Sequence, residues 1–94
     1  MDFIYEPERI YAQDLSGKLL AELTFPINNG VANINHTFVD RSLRGQGVAG
    51  ALMEAGVQHL RDQGLQARPT CSYAVTWFSE HPEEGDILLP SPNN

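Results

Sequence analysis

The residues best equipped for chemistry lie together in Asp40-Arg-Ser-Leu-Arg-Gly-Gln-Gly-Val-Ala-Gly50. Gly45, Gly47 and Gly50 let backbone N–H groups come close to an anion, and Arg41 and Arg44 add full positive charge. A strand-like run precedes the segment and an amphipathic run follows it. The glycines therefore fall at a helix N-terminus, where the helix dipole adds further positive potential. The chemistry implied is capture of a phosphorylated ligand.

Positioning such a loop takes a strand before it and a helix after it. Short strands are expected at Phe3–Tyr5 and Arg9–Gln13 on either side of Glu6-Pro7-Glu8, and a further strand at Lys18–Phe25 after the Ser16-Gly17 turn. Pro26–Gly30 forms the next turn, with Asn29-Gly30 as its hairpin signal. Val31–Val39 then reads as one central strand, with Val31, Asn33, Asn35, Thr37 and Val39 on one face and Ala32, Ile34, His36 and Phe38 on the other. Ala49, Leu52, Met53, Gly56, Val57 and Leu60 make one stripe of a helix that starts near Gly47 and stops at Gly64. Leu65–Cys71 is a strand with Pro69 at its edge or end, and Ser72 caps a last helix running to about His81. Residues 89–94 are expected to form a disordered tail. The whole is one domain, 1–94, with an antiparallel meander leading into one β–α–β crossover, so strands four (31–39) and five (65–71) are parallel neighbours.

Bulk properties bound the function. Ninety-four residues with 41% apolar content suffice for one small core. No run approaches the roughly 18 apolar residues of a membrane span, and Met1-Asp-Phe-Ile-Tyr-Glu lacks a signal-peptide pattern, so a cytoplasmic location is expected. Six basic against twelve acidic residues, a net charge of −6, argue against nucleic acid as partner and suit a cationic amine. The single cysteine, Cys71, excludes an internal disulfide, and its spacing from the histidines fits no metal site.

Gly45-x-Gly47-x-x-Gly50 formally matches the dinucleotide fingerprint. That motif needs an acidic residue about 20 positions on, whereas the next strand ends at Thr70-Cys71-Ser72 without a carboxylate. No Gly-Lys-Ser/Thr closes a P-loop either. Instead Arg44-Gly-Gln-Gly47-Val-Ala49 resembles the acyl-CoA signature Gln/Arg-x-x-Gly-x-Gly/Ala of the GNAT acetyltransferases. His36-Thr-Phe-Val39 before it, and Pro69-Thr-Cys71-Ser-Tyr73 with His81-Pro82 after it, are similar to the minimal single-domain members of that superfamily. The likeness runs from about residue 9 to residue 88.

The resemblance implies an α/β (α+β) fold: a mixed, mostly antiparallel sheet, parallel strands four and five that splay apart, two helices, and no N-terminal helices. It implies acetyl-CoA as co-substrate, an amine acceptor, and transfer of the acetyl group between them by a monomer or homodimer. The backbone of Phe38 and Val39 would bond the pantetheine arm, and Arg44, Gly45, Gln46, Gly47, Val48 and Ala49 would hold the pyrophosphate. Where many members place a basic carboxylate on strand four, this chain has His36, whose imidazole is the candidate base. The usual Asn-x-x-Ala-x-x-x-Tyr reads Cys71-x-x-Ala74-x-x-x-Phe78, so the familiar tyrosine acid is replaced and Tyr73 is the nearest substitute. Cys71, at a helix N-terminus that favours a thiolate, is the candidate for a covalent acetyl intermediate. The alternative is a non-catalytic acyl-CoA-binding or sensing module. Glu80, Glu83, Glu84 and Asp86 read as a solvated acidic face.

Overall fold

The computed structural model describes residues 1–90. Strands β1 (Ile4–Glu6), β2 (Arg9–Gln13), β3 (Leu19–Thr24), β4 (Ile27–Asn28), β5 (Val31–Ile34) and β6 (His36–Val39) precede helix α1 (Val48–Asp62). Strand β7 (Gln66–Pro69) and helix α2 (Ser72–Glu80) follow, with 3-10 turns at Arg41–Leu43 and Pro82–Ile87. No helix among the described residues is long and apolar enough to cross a membrane.

The strands form an antiparallel sheet ordered β1-β2-β3-β6 and a second sheet ordered β4-β5-β7, in which β5 and β7 are parallel. The Asn-Gly signal holds: Asn29 and Gly30 both take positive φ, 53° and 77°, and join β4 to β5. The single strand expected over 31–39 is two strands. Asn35 N–H donates to Thr24 O at 3.3 Å although the register pairs Thr24 with His36, so two residues oppose one. The extra residue switches parity. Ala32 and Ile34 are buried in β5, whereas in β6 Thr37 and Val39 pair with the buried Leu23 and Ala21. The residue's other consequence is a change of partner, since β5 stays with β7 while β6 turns to β3. The expected splay between strands four and five is this parting.

One face of the sheets carries the core. Ile10, Ala21, Leu23, Phe25, Ala32 and Ile34 pack against Leu52, Met53, Val57 and Leu60 of α1 and Ala74, Trp77 and Phe78 of α2. Each large side chain so buried contributes roughly 1.5–3 kcal/mol. Gly56 brings α1 directly onto β3, where a Cβ would run into Leu23 Cδ2. The register leaves Arg9, Tyr11, Glu22, Thr24, His36 and Phe38 on the opposite, uncovered face.

Three expectations are corrected. Cys71, not Ser72, is the N-cap of α2: the chain leaves β7 extended at Cys71, whose sulfur accepts the Ala74 N–H. Leu89 is tied down, donating its N–H to Ala67 O at 2.9 Å, while residues 91–94 of the expected tail lie outside the described residues. Glu84 and Asp86 clamp Arg61 of α1 at 2.8 and 2.7 Å, so half of the acidic face is an anchor for the last turn.

Candidate active site

The β5–β7 ladder ends where Ile34 O accepts the N–H groups of both Thr70 and Cys71, at 2.9 and 3.2 Å. Beyond that point β6 is the edge of its sheet. Asp40 N–H donates to Leu20 O at 2.8 Å, and by antiparallel alternation the amide and carbonyl of Phe38 also point to β3. The main-chain groups turned to the free edge are those of Thr37 and Val39. Of the two residues the sequence reading gives to the pantetheine arm, Val39 turns its main-chain groups to this edge and Phe38 does not, Thr37 doing so in its stead. The register decides this, and the sequence alone does not display it.

The chain then enters the 3-10 turn, started by Asp40, whose carboxylate accepts from Ser42 N–H at 3.1 Å and from the Ser42 hydroxyl. Those bonds, with Lys18 adding charge, hold the Asp40 carboxyl below its ordinary value. Gly45 and Gly47 take φ of 82° and 75°, a region that side chains strain to enter. A Cβ at either would meet no protein atom within 4 Å, so conformation and not crowding requires glycine there. Gly47 is the N-cap of α1, and the first helical turn closes from Ala51 N–H to Gly47 O at 3.1 Å. That leaves the amides of Val48, Ala49 and Gly50 without intrahelical acceptors.

These groups enclose a cavity of about 210 Å³, lined by Val39, Leu43, Arg44, Gly45, Gly47 to Gly50 and Tyr73. Neutral donors, a helix N-terminus, one arginine and a free strand edge thus meet at one opening. A GCN5-related N-acetyltransferase family model matches residues 9–87, from β2 through both helices, with this loop inside the match. The chain belongs to that family.

It is similar to a GCN5-like protein from Staphylococcus aureus, at 30% identity and a TM-score of 0.79, over 99% of this chain and 92% of that one. It shares its fold with the ribosomal-protein-S18-alanine N-acetyltransferase of Escherichia coli (17% identity, TM-score 0.63, 84% of this chain and 51% of that one). It also shares it with a Mycobacterium tuberculosis protein solved in complex with CoA (24% identity, TM-score 0.63, 80% and 47%). The chain therefore spans about half the length of these two proteins. No curated protein matches the chain.

Within this family member the remaining candidate residues divide between the two faces. Cys71 is half-buried; its sulfur accepts the Ala74 N–H at 3.4 Å and shares a hydrogen bond of 3.4 Å with Thr37 Oγ1. Tyr73 lines the cavity, and burial, then Glu80, pushes its phenol above the ordinary value of 10, which keeps it protonated at neutral pH. Phe78 is buried edge-on against Trp77, 5.2 Å between centroids, and has no acid to offer. His36 points to the uncovered face, its Nε2 3.4 Å from Glu22 Oε1. The structure thus brings Cys71 and Thr37 together, with Tyr73 at the neighbouring cavity, and sets His36 apart from them. Gln46 stands outside the cavity wall, its side-chain amide on Ser42 O at 3.4 Å.

Thr37 and Glu22 escaped the sequence reading. Thr37 is detectable in principle, because a hydroxyl one residue from His36 on a splaying strand has to face the partner strand. Glu22 lies fourteen positions before His36 and is found only once the register is known.

Proposed function

We propose that this chain transfers an acetyl group from acetyl-CoA to a primary amine. The observation that carries the reading is the convergence of two left-handed glycines, the first amides of α1 and the edge of β6 on one cavity of about 210 Å³. In this reading the amides of Gly45 and of Gly47 to Ala49 hold the pyrophosphate and Arg44 adds charge, while the Gln46 N–H donates to Leu43 O at 3.3 Å and shapes the loop. The pantetheine arm lies along β6 as an added strand, bonded by the outward groups of Thr37 and Val39. That path leads towards Cys71, at the end of the β5–β7 ladder, where the thioester would lie. Tyr73 is the donor available to the departing thiolate. The CoA bound by the Mycobacterium tuberculosis relative, which shares the fold, supports the ligand assignment.

Calorimetric titration of acetyl-CoA into the parent and a Gly47→Glu variant tests this. The reading expects binding by the parent that the variant loses, since the glutamate puts bulk and negative charge at the phosphate cradle. A parent that does not bind at millimolar acetyl-CoA would sink it.

The buried Phe78, standing where the family's usual acid lies, favours a second reading: an acyl-CoA-binding module without turnover. Release of CoA thiol in the presence of a panel of amines separates the two.

A further inference from the structure

The geometry points to Glu22 as the positioning residue of His36, a base that serves an amine arriving on the uncovered face of the sheet, opposite the helices. The inference rests on the acetyl-transfer reading above. Arg9, Glu22 and His36 share that face. Glu22 Oε2 accepts from Arg9 Nε, and its other oxygen, Oε1, lies 3.4 Å from His36 Nε2. The carboxylate is the most covered of the three side chains, 17% exposed against 33% for Arg9 and 53% for His36. Arg9 is itself fixed, with its guanidinium carbon 3.8 Å from the Tyr11 ring centroid and Glu6 at 3.5 Å. The Arg9 guanidinium takes one oxygen of Glu22, and the other is left for the imidazole. A carboxylate oxygen 3.4 Å from Nε2 favours the tautomer with its proton on that nitrogen, which leaves Nδ1 as the basic one.

Cys71 is not the partner of that base. Thr37 puts its hydroxyl on the Cys71 sulfur, and strand alternation sends the His36 ring to the other side. The groups that face His36 are Arg9 from β2 and Glu22 and Thr24 from β3, with the Thr24 hydroxyl already donating to Asn35 Oδ1 at 2.6 Å. What His36 Nδ1 can serve is a molecule standing on the uncovered face beside the strand break. An alkylammonium there gives one proton to Nδ1, and the freed lone pair forms the N–C bond to the acetyl carbonyl. The C–S bond breaks with its electron pair on sulfur. The second amine proton reaches that thiolate as CoA thiol, and the imidazolium returns its proton to water.

The test compares butylamine, cationic at pH 7, with hydroxylamine, which is neutral there and has no proton to lose before attack. Rates are measured for the parent, Glu22→Gln, His36→Ala and the double variant. With butylamine, Glu22→Gln lowers kcat about tenfold and His36→Ala about a hundredfold, while the double variant equals His36→Ala. The KM for acetyl-CoA is unchanged, which also shows that the variants fold, and hydroxylamine rates above the uncatalysed background fall by no more than about threefold. A Glu22→Gln variant equal to the parent on butylamine overturns the inference. So does an equal loss on both amines, or a further loss in the His36→Ala background. A parent that turns over neither amine refutes the acetyl-transfer reading instead, and the inference falls with it.

Discussion

Thr37 and Cys71, 34 residues apart in sequence, share a hydrogen bond of 3.4 Å at the point where β6 leaves the β5–β7 ladder. The same sulfur accepts the Ala74 N–H that starts α2. One atom therefore joins the strand with the free edge to the helix facing it, and its loss should be felt as structure as well as chemistry.

Cys71→Ala removes the cap acceptor and should cost about 0.5–1 kcal/mol of stability, whereas Cys71→Ser, with a stronger acceptor, should retain the parent's melting temperature. Acetyl-CoA binding should persist in the alanine variant, and any covalent acetyl adduct seen by intact-protein mass spectrometry should vanish. An adduct of undiminished mass and yield in Cys71→Ala would exclude the sulfur as nucleophile.

Gly47 and Gly50 line the same cavity but differ in backbone: Gly47 sits at φ 75°, whereas Gly50 is helical, and a Cβ at either meets nothing within 4 Å. Gly47→Ala should therefore lower stability by about 1–2 kcal/mol. Gly50→Ala should raise it by about 0.5–1 kcal/mol while weakening acetyl-CoA binding, because its methyl narrows the cradle. Thermal melts with and without acetyl-CoA would show the two effects moving in opposite directions for Gly50→Ala. Equal ligand-induced stabilisation of Gly50→Ala and the parent would place the ligand elsewhere.

Local chemistry is where the sequence is most legible. The Asn29-Gly30 turn, the stripe of α1 and the glycine loop each follow from neighbouring residues, and the structure has all three. The parity switch at Asn35 was present as a signal, since apolar residues occupy 32 and 34 and then 39, but a continuous strand conceals it. Pairings across the chain carry no such signal. Arg61 with Glu84 and Asp86, Glu22 with His36, and Thr37 with Cys71 depend on register and on where helices land. The cap shows the same limit: serine is the better capping residue, yet the extended exit from β7 puts Cys71 in the capping position.

Gly56 is a contact glycine and not a turn glycine. It lies inside α1, where alanine is intrinsically favoured by about 1 kcal/mol, but the added methyl would strike the fully buried Leu23. Overpacking of this kind costs about 1–3 kcal/mol. Gly56→Ala should thus destabilise the protein on balance, with Leu23→Val partly relieving it. A Gly56→Ala variant that melts above the parent would mean that α1 shifts freely on β3.

Stability should also depend on acid. The Asp86 carboxyl is held below its ordinary value of 3.8, first by hydrogen bonds from Arg61 and then by that guanidinium's charge. Asp40 is held low by the Ser42 hydroxyl and amide, with Lys18 adding to the effect. A carboxyl more acidic in the folded state than in the unfolded chain adds stability that is complete above the unfolded value and is lost as pH falls through the folded one. Both contributions are therefore intact at neutral pH, start to fade near pH 4 and disappear below the lowered values. The melting temperature should fall as pH is taken from about 5 to about 2, less steeply in Asp86→Asn and Asp40→Asn. Asn at position 40 still accepts from Ser42, so that variant should keep the turn before the glycine loop, and its acetyl-CoA binding, at neutral pH. Arg61→Gln should flatten the acid slope as Asp86→Asn does, and combining the two should add little because they break one clamp. An Asp86→Asn profile superimposable on the parent's would show that the clamp between α1 and the last turn does not contribute to folding.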